Sequence, residues 1–361
     1  MTGTPSTDVL AAWGWHRDVE VAPLTGGLIN TTLVVRRAGQ PEAVLQRLHP
    51  VFGPEVNLDI DAITAHLAAH GLVTPRLIRT LDQRAWILDD DDRPWRALTW
   101  IDGVTVHTVP SPALAGAGGE LVGRFHRAVA ELEHDYAFTR AGVHDTAGHL
   151  GRLRDHLAAA VAGAGFSPGA ADADAIAMQA EVIDFGHTVI AAARSLPELP
   201  ATPLRHGHGD LKISNLLFSG VDAPAGVALV DLDTLGRQQL AFELGDAMRS
   251  WCNPRGEDAG AIVFDLGIFA AAVEGWSAVA GGLFTDDERR SIVAGLETAC
   301  VELAARFAND VFEDRYFGWD PARFPSRRAH NLIRARGQLA LAAAVTAVRA
   351  DALDVVRGAH G

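Results

Sequence analysis

A change of pattern near residue 100 constrains this chain more than any other feature. Before it, short β-branched or alternating runs are separated by turn residues; after it, long apolar periodicities of helical spacing take over. Thr31-Thr32-Leu33-Val34-Val35 and Ala43 to Leu48 read as strands, with Ala38-Gly39-Gln40-Pro41 as the turn between them. Leu58 to His70 is apolar at 58, 60, 63 and 67, the spacing of one helix face, and Gly71 is its natural stop. Ala85 to Leu88 and Arg96 to Ile101 read as two more strands around the acidic turn Asp89 to Arg93. A short helix is expected over 8–17, and longer ones over 112–133, 170–196, 258–280, 285–309 and 329–357. Residues 158–175, rich in Ala and Gly, read as a loop, and Leu216 to Val230 as a β-like island. Strands collected at one end and helices at the other make an α+β chain. The expectation is a small β-rich lobe over 1–100 and a large, mostly helical lobe over 101–361.

At 361 residues the chain suits two packed lobes. A formal net charge of −14 with no run of Lys or Arg repels a phosphate backbone, so nucleic acid is not an expected partner. The N-terminus lacks a basic segment followed by an apolar one, and the stretch read as most apolar, Gly337 to Val348, is too short to span a bilayer. A cytoplasmic protein with no membrane partner is expected. Cys252 and Cys300 stand far apart without a CxxC and read as buried free thiols of a reducing compartment. Monomer and homodimer both stay open, because an apolar helix face serves a core or an interface equally well.

The chemistry concentrates in His206-Gly207-His208-Gly209-Asp210-Leu211-Lys212-Ile213-Ser214-Asn215. An Asp two residues after a His, with an Asn five further on, fits the catalytic-loop pattern of kinases. Sixteen residues beyond Asn215 comes Leu229-Val230-Asp231-Leu232-Asp233, a short buried strand ending on carboxylates. Phosphoryl transfer needs positioning and charge neutralisation more than covalent chemistry. Asp210 suits the carboxylate that accepts the proton of an attacking hydroxyl. Asn215 and Asp231 offer the hard oxygens that Mg2+ prefers, and Asp233 is a further ligand or an orienting group. A hairpin between Asn215 and Asp231 would bring them together. Alone, each of these residues is an ordinary cap or turn residue; the ordered set is not. His208 reads as a structural residue of the loop. The letters His206-x-His208-x-Asp210 also fit a binuclear zinc hydrolase. That pattern wants a second His directly after the Asp, where Leu211 stands, and it leaves Asn215 and Asp231 unexplained.

These motifs resemble the aminoglycoside phosphotransferase and choline kinase superfamily, of protein-kinase-like two-lobed fold, and within it N-acetylhexosamine 1-kinase-like proteins. The likeness spans nearly the whole chain. Leu24-Thr25-Gly26-Gly27-Leu28-Ile29-Asn30-Thr31-Thr32 resembles the glycine-containing nucleotide loop, and Val44-Leu45-Gln46-Arg47 the third strand. Trp95-Arg96 through Trp100-Ile101-Asp102-Gly103 resembles the hinge, and Glu243-Leu244-Gly245-Asp246-Ala247-Met248-Arg249 the segment after the metal Asp. The resemblance implies a kinase using ATP or GTP with Mg2+, Asp210 as base, and Asn215 and Asp231 as metal ligands. It implies nucleotide contacts from Gly26, Gly27, Asn30, Thr31, Trp100, Ile101 and Lys212. Arg47 falls where protein kinases carry a phosphate-holding Lys, with Asp59 or Asp61 as its acidic partner on the next helix. The loop is short of a full GxGxxG, and Arg stands in place of Lys.

The acceptor is expected to be a small molecule held in the helical lobe by Asp310, Arg315, Tyr316, Arg334 and Arg336. Mixed charges with aromatic groups suit a sugar, which offers hydroxyls and one apolar face. The resemblance to hexosamine kinases points the same way. An aminoglycoside, choline or homoserine kinase of the same fold is the alternative, and a catalytically inactive nucleotide-binding module is a third reading.

Overall fold

The structure, a computed structural model, describes residues 4–15, 17–24, 29–140, 142–163, 173–258 and 262–359. The nucleotide-loop glycines Gly26 and Gly27 lie outside these residues. Helix α1 (Thr7–Ala12) precedes strands β1 (Val19–Pro23), β2 (Thr31–Arg37) and β3 (Gln40–Arg47), helix α2 (Val56–Ala69), and strands β4 (Leu77–Ile78), β5 (Ile87–Leu88) and β6 (Pro94–Thr99). These strands form one antiparallel sheet in the order β1-β2-β3-β6-β4, with β5 also on β6.

Alternation along the strands gives this sheet two different faces. Leu33, Val35, Ala43, Leu45, Trp95 and Ala97 bury against Val9, Trp13 and Trp15 of the N-terminal segment. Val44, Leu48 and Leu98 belong instead to the main core, which runs through α2 (Val56, Ile60, Ile63, Leu67) into the helices beyond. The helix α2 therefore has its apolar stripe on the far larger of the two cores.

After strand β7 (Val104–Thr105) come α3 (Pro112–Ala128), α4 (Thr146–Val161) and α5 (Ala173–Ala193). Three short strand pieces follow, β8 (Arg205–Gly207), β9 (Leu216–Phe218) and β10 (Gly226–Leu229), then β11 (Gly236–Gln238). The chain finishes with α6 (Leu240–Trp251), α7 (Leu266–Ala280), α8 (Asp286–Glu313), α9 (Arg327–Ala347) and α10 (Arg349–Gly358). The sequence reading ran α9 and α10 together and missed α4 and α6. The apolar positions Leu150, Leu153 and Leu157 and the N-cap Asp145, whose side chain accepts the Gly148 N–H, are what mark α4.

Glycines bring α3 and α7 into backbone contact. A Cβ on Gly119 would stand 2.1 Å from the Ala272 carbonyl oxygen, and one on Gly275 2.3 Å from that of Gly116. One correction concerns this helix. The window Leu266–Leu283 is by length and composition long and apolar enough to cross a membrane, more so than the Gly337 to Val348 stretch expected to be the most apolar. In the fold Phe269, Ala272, Val273 and Trp276 of α7 are buried in the main core.

Candidate active site

The catalytic-loop segment runs from β8 through a single 3-10 turn, Ile213–Asn215, into β9. Hairpin β9–β10 pairs Leu216 with Leu229, and the Val230 N–H donates to the Asn215 carbonyl at 2.9 Å. This register, invisible as a distance in sequence, sets Asn215 and Asp231 side by side. Asp231 follows in the left-handed region, φ 62° and ψ 60°, an uncommon conformation for a residue other than glycine. Such outliers persist where the surroundings over-determine them.

Around Asp210 the loop is densely hydrogen-bonded. Its backbone N–H donates to His208 Nδ1 at 3.3 Å, and His208 Nε2 donates to the Val230 carbonyl at 2.9 Å. Asn215 Nδ2 donates to the Asp210 carbonyl at 2.8 Å and to its Oδ2 at 3.1 Å. That fixes the amide and leaves its oxygen as the donor a hard cation needs. Lys212 Nζ lies 2.7 Å from Asp210 Oδ2 and 3.7 Å from Asp231 Oδ2, bridging the two carboxylates. Desolvation works against the Lys212 charge, but Asp210 and Asp231 outweigh it and hold the ammonium above its usual range. Although the Asp231 side chain keeps 41% of its surface accessible, desolvation by the surrounding protein, with Asp233 and Asp210 close by, pushes its carboxyl up.

Behind the loop stands Glu243 of α6, a residue to which the sequence reading gave no role. It accepts the His208 N–H at 2.8 Å and the Gly209 N–H at 3.0 Å, and a Gln238 amide bond as well. His126 of α3 reaches it at 3.2 Å, and Trp276 of α7 donates to His126 Nδ1 at 2.9 Å. Burial opposes the charge of Glu243, but His126 and the His208 N–H outweigh it and hold its carboxyl below the ordinary range. Gly209 has φ +79°, and a Cβ there would meet the Thr234 carbonyl oxygen at 2.3 Å, so no other residue fits. Trp251 Nε1 donates to the Leu211 carbonyl at 2.7 Å.

Asp233 is placed differently from a metal ligand. Only 2% exposed, it accepts a hydrogen bond from Arg96 of β6 on Oδ1 and one from Asn30 on Oδ2 at 2.6 Å. Asn30 in turn accepts the His49 N–H at 2.8 Å. Arg96, 1% exposed, also donates to Gln46 Oε1 at 2.7 and 2.9 Å and to Asn57 of α2 at 3.3 Å. A buried guanidinium thus joins the sheet, α2 and the segment after Asp231.

The Arg47 expectation is corrected by the same geometry. Residues 46 and 47 face opposite sides of β3, and it is Gln46, paired across the strands with Arg96, that looks toward Asp233. Arg47 pairs instead with Asp89 at 2.8 Å and Asp91 at 2.7 Å. Neither expected partner reaches it: Asp59 binds His134 and the N–H groups of Ala137 and Phe138, and Asp61 pairs with Arg79. Trp100 and Ile101, both half-buried, connect β6 to β7, and Thr31 opens β2 opposite Arg47.

The zinc reading fails on its imidazoles. His206 is engaged by the Tyr136 hydroxyl at 2.9 Å and the Leu132 carbonyl at 2.8 Å, and His208 as described. Among the described residues no three His, Cys, Asp or Glu side chains gather as a metal group. One carboxylate with one amide oxygen suits Mg2+, which keeps waters and phosphate oxygens in its shell.

A cavity of about 290 Å³ adjoins Gly209, Asp233 and Thr234, and its far wall is the 138–144 segment. Of the five expected acceptor residues, only Tyr316 touches its lining, through a hydrogen bond with Arg140. Asp310 is 2% exposed and accepts the N–H groups of Arg315, Tyr316 and Phe317 and the Asn331 amide, clasping the turn after α8. Arg315 pairs with Glu313, Arg334 with Asp258 and the Gly318 carbonyl, and Arg336 with Glu181 beside a separate apolar hollow.

The model of the phosphotransferase enzyme family matches residues 20–281. Among solved structures, a microcompartment-associated aminopropanol kinase is similar with a TM-score of 0.63 at 14% identity, covering 97% of this chain and 98% of that one. An aminoglycoside phosphotransferase from Alicyclobacillus acidocaldarius gives 0.57 at 15% identity, covering 97% and 96%. A choline/ethanolamine kinase family protein from Mesorhizobium loti gives 0.54 at 18% identity, covering 99% and 100%. At these identities the structures speak for the two-lobed kinase-like fold.

Proposed function

The chain belongs to the phosphotransferase enzyme family, and on that premise we propose that it transfers the γ-phosphate of magnesium-bound ATP or GTP to a hydroxyl of a sugar or amino sugar. The observation that carries this reading is the convergence of Asp210, Asn215 and Asp231, with Lys212 between the carboxylates. Asp210 takes the proton of the attacking hydroxyl on the oxygen not held by Lys212 and Asn215. Asn215 and Asp231 hold the metal, which when bound neutralises phosphate charge. Lys212 steadies negative charge gathering between base and metal site. Asn30 and Thr31 sit where the nucleotide loop enters β2, and Trp100 and Ile101, at the connector between β6 and β7, would flank the nucleotide. Asp233 is a structural anchor of this site, not a ligand. The division of labour between residues 1–100 and 101–361 belongs to the same proposal. So does a cytoplasmic placement, which two buried unpaired thiols, Cys252 and Cys300, support.

The test is coupled nucleotide turnover with Mg2+ across N-acetylhexosamines, hexoses, glucosamine, choline, homoserine and aminoglycosides. Turnover on a sugar supports the reading. Turnover confined to amines keeps the mechanism and overturns the acceptor class. Binding of magnesium nucleotide without turnover on any of these means that the acceptor lies outside the panel or that the chain is a binding module, and absence of nucleotide binding sinks the kinase reading.

A further inference from the structure

The cavity beside the catalytic loop has an unusual charge balance for an acidic chain. Four charged or titratable side chains line it: Arg140, His144, Asp233 and Arg237. The one carboxylate, Asp233, is already neutralised by Arg96. His144 Nδ1 lies 3.3 Å from Glu302 Oε1, and its ring stacks on Phe242 at 4.5 Å. The two arginines have no such partner. The Arg140 guanidinium bonds the neutral Tyr316 hydroxyl and sits 5.8 Å from the Phe52 ring centre. Among the described residues the Arg237 side chain makes no hydrogen bond or ion pair, whereas Arg47, Arg96, Arg205 and Arg249 each pair with a carboxylate. The field of these two cations reaches their surroundings. Behind desolvation, Arg237 helps hold His206 below its usual range, and Arg93 and Arg140 do the same for His49.

Two guanidinium groups without a counter-charge facing one cavity are a demand for negative charge. Arg presents a planar fork matched to carboxylate and phosphate oxygens. The position says whose charge it is. Gly209 immediately precedes the proposed base, and Asp233 and Thr234 closely follow the proposed metal ligand, so the cavity wall is the next stretch of chain to the reacting groups, although Asp210, Asn215 and Asp231 do not themselves line it. At about 290 Å³ its volume is at the lower end of small-molecule sites, near 300 Å³, enough for a single ring. We infer that Arg140 and Arg237 seat a carboxylate or phosphate carried by the acceptor, which makes the acceptor an acidic sugar and disfavours an amine. This rests on the kinase reading for the identity of the reaction, but not for the presence of the anion site.

Calorimetry on the full chain tests it. With Mg-ADP saturating, the protein is titrated with glucuronate, glucose 6-phosphate, glucose, glucosamine and inorganic phosphate, the last as a ring-free probe. An acid binds at least about tenfold tighter than glucose, and glucosamine is weakest. Arg237→Gln and, separately, Arg140→Gln weaken the acid by roughly ten- to a hundredfold, the worth of one charged hydrogen bond, and leave glucose unchanged. Glucuronate against glucose 6-phosphate separates carboxylate from phosphate. Equal affinity for acid and neutral sugar, preference for glucosamine, silence of all three acids, or indifference to both Arg variants overturns the inference. The initial Mg-ADP titration reads the kinase proposal separately: its failure leaves an Arg-dependent anion site standing.

Discussion

Two walls meet at Gly209, and they are built on opposite terms. On one side the catalytic loop is tied by His208, Glu243, His126, Trp251 and Trp276 until its backbone groups have single partners. On the other, Arg140 and Arg237 line the cavity, and no carboxylate restrains either. Groups that carry out phosphoryl transfer must be held to fractions of an ångström, and a fully satisfied buried network does that. Groups that choose an acceptor need charge and shape, and they are left for the ligand to complete. Substitutions on the first wall should therefore cost stability or rate, and substitutions on the second should cost neither before an acceptor is present.

The largest expected effect is on Asp233. Asp233→Ala leaves Arg96 buried without its counter-charge and lowers unfolding stability by about 3–5 kcal/mol, measured by urea denaturation. Asp231→Ala, two residues away and 41% exposed, weakens magnesium-nucleotide binding in a calorimetric titration with far less loss of stability. If the two variants exchange these phenotypes, the metal ligand has been misplaced. Next comes Asp210→Asn, which cuts turnover by about a hundredfold or more while nucleotide affinity stays within a few-fold. Unchanged turnover removes Asp210 from the role of base.

A third effect is smaller and lies at alkaline pH. Burial pushes the Cys252 and Cys300 thiols up, Cys252 at the end of α6 and Cys300 within α8. Their folded pKa values exceed the unfolded value of about 8.5, so the stability they contribute is complete below that pH and is lost as pH rises through the folded values. The urea midpoint should fall between pH 8 and pH 10, less steeply in Cys300→Ala; an identical slope in that variant removes the thiol as the cause. Smallest is Arg237→Gln in the absence of acceptor, expected within about 0.5 kcal/mol of the parent. A clear destabilisation would show the second wall to be braced after all and erase the contrast.

The same contrast decides what was legible in the sequence. Asp210, Asn215 and Asp231 are read from spacing because a tight loop and a hairpin fix their separation along the chain. The α+β division was legible from periodicity, and so were β2, β3 and α2. Arg47 was misassigned because a strand position carries no label for its face; the alternation Val44, Gln46, Leu48 against Ala43, Leu45, Arg47 settles it only once the neighbour strand is known. Glu243 stood in a quoted segment, yet its role depends on α6 starting against β8, a tertiary contact with no local signature. Arg140 and Arg237 are single arginines in unremarkable segments, and Asp310 drew attention as an acid near aromatic residues when its work is to clasp backbone N–H groups.

The two indoles tied to the catalytic loop have a consequence for observation. Trp251 and Trp276 are both fully buried, one bonded to the Leu211 carbonyl and the other to His126, which leads through Glu243 to His208. Their ring N–H protons exchange with deuterated solvent only when those bonds open. Isotope exchange at two nitrogens thus times the opening of the catalytic loop directly, in a molecule carrying no probe, and the half-buried Trp100 indole, whose bond to Asp102 is exposed, serves as the fast internal clock.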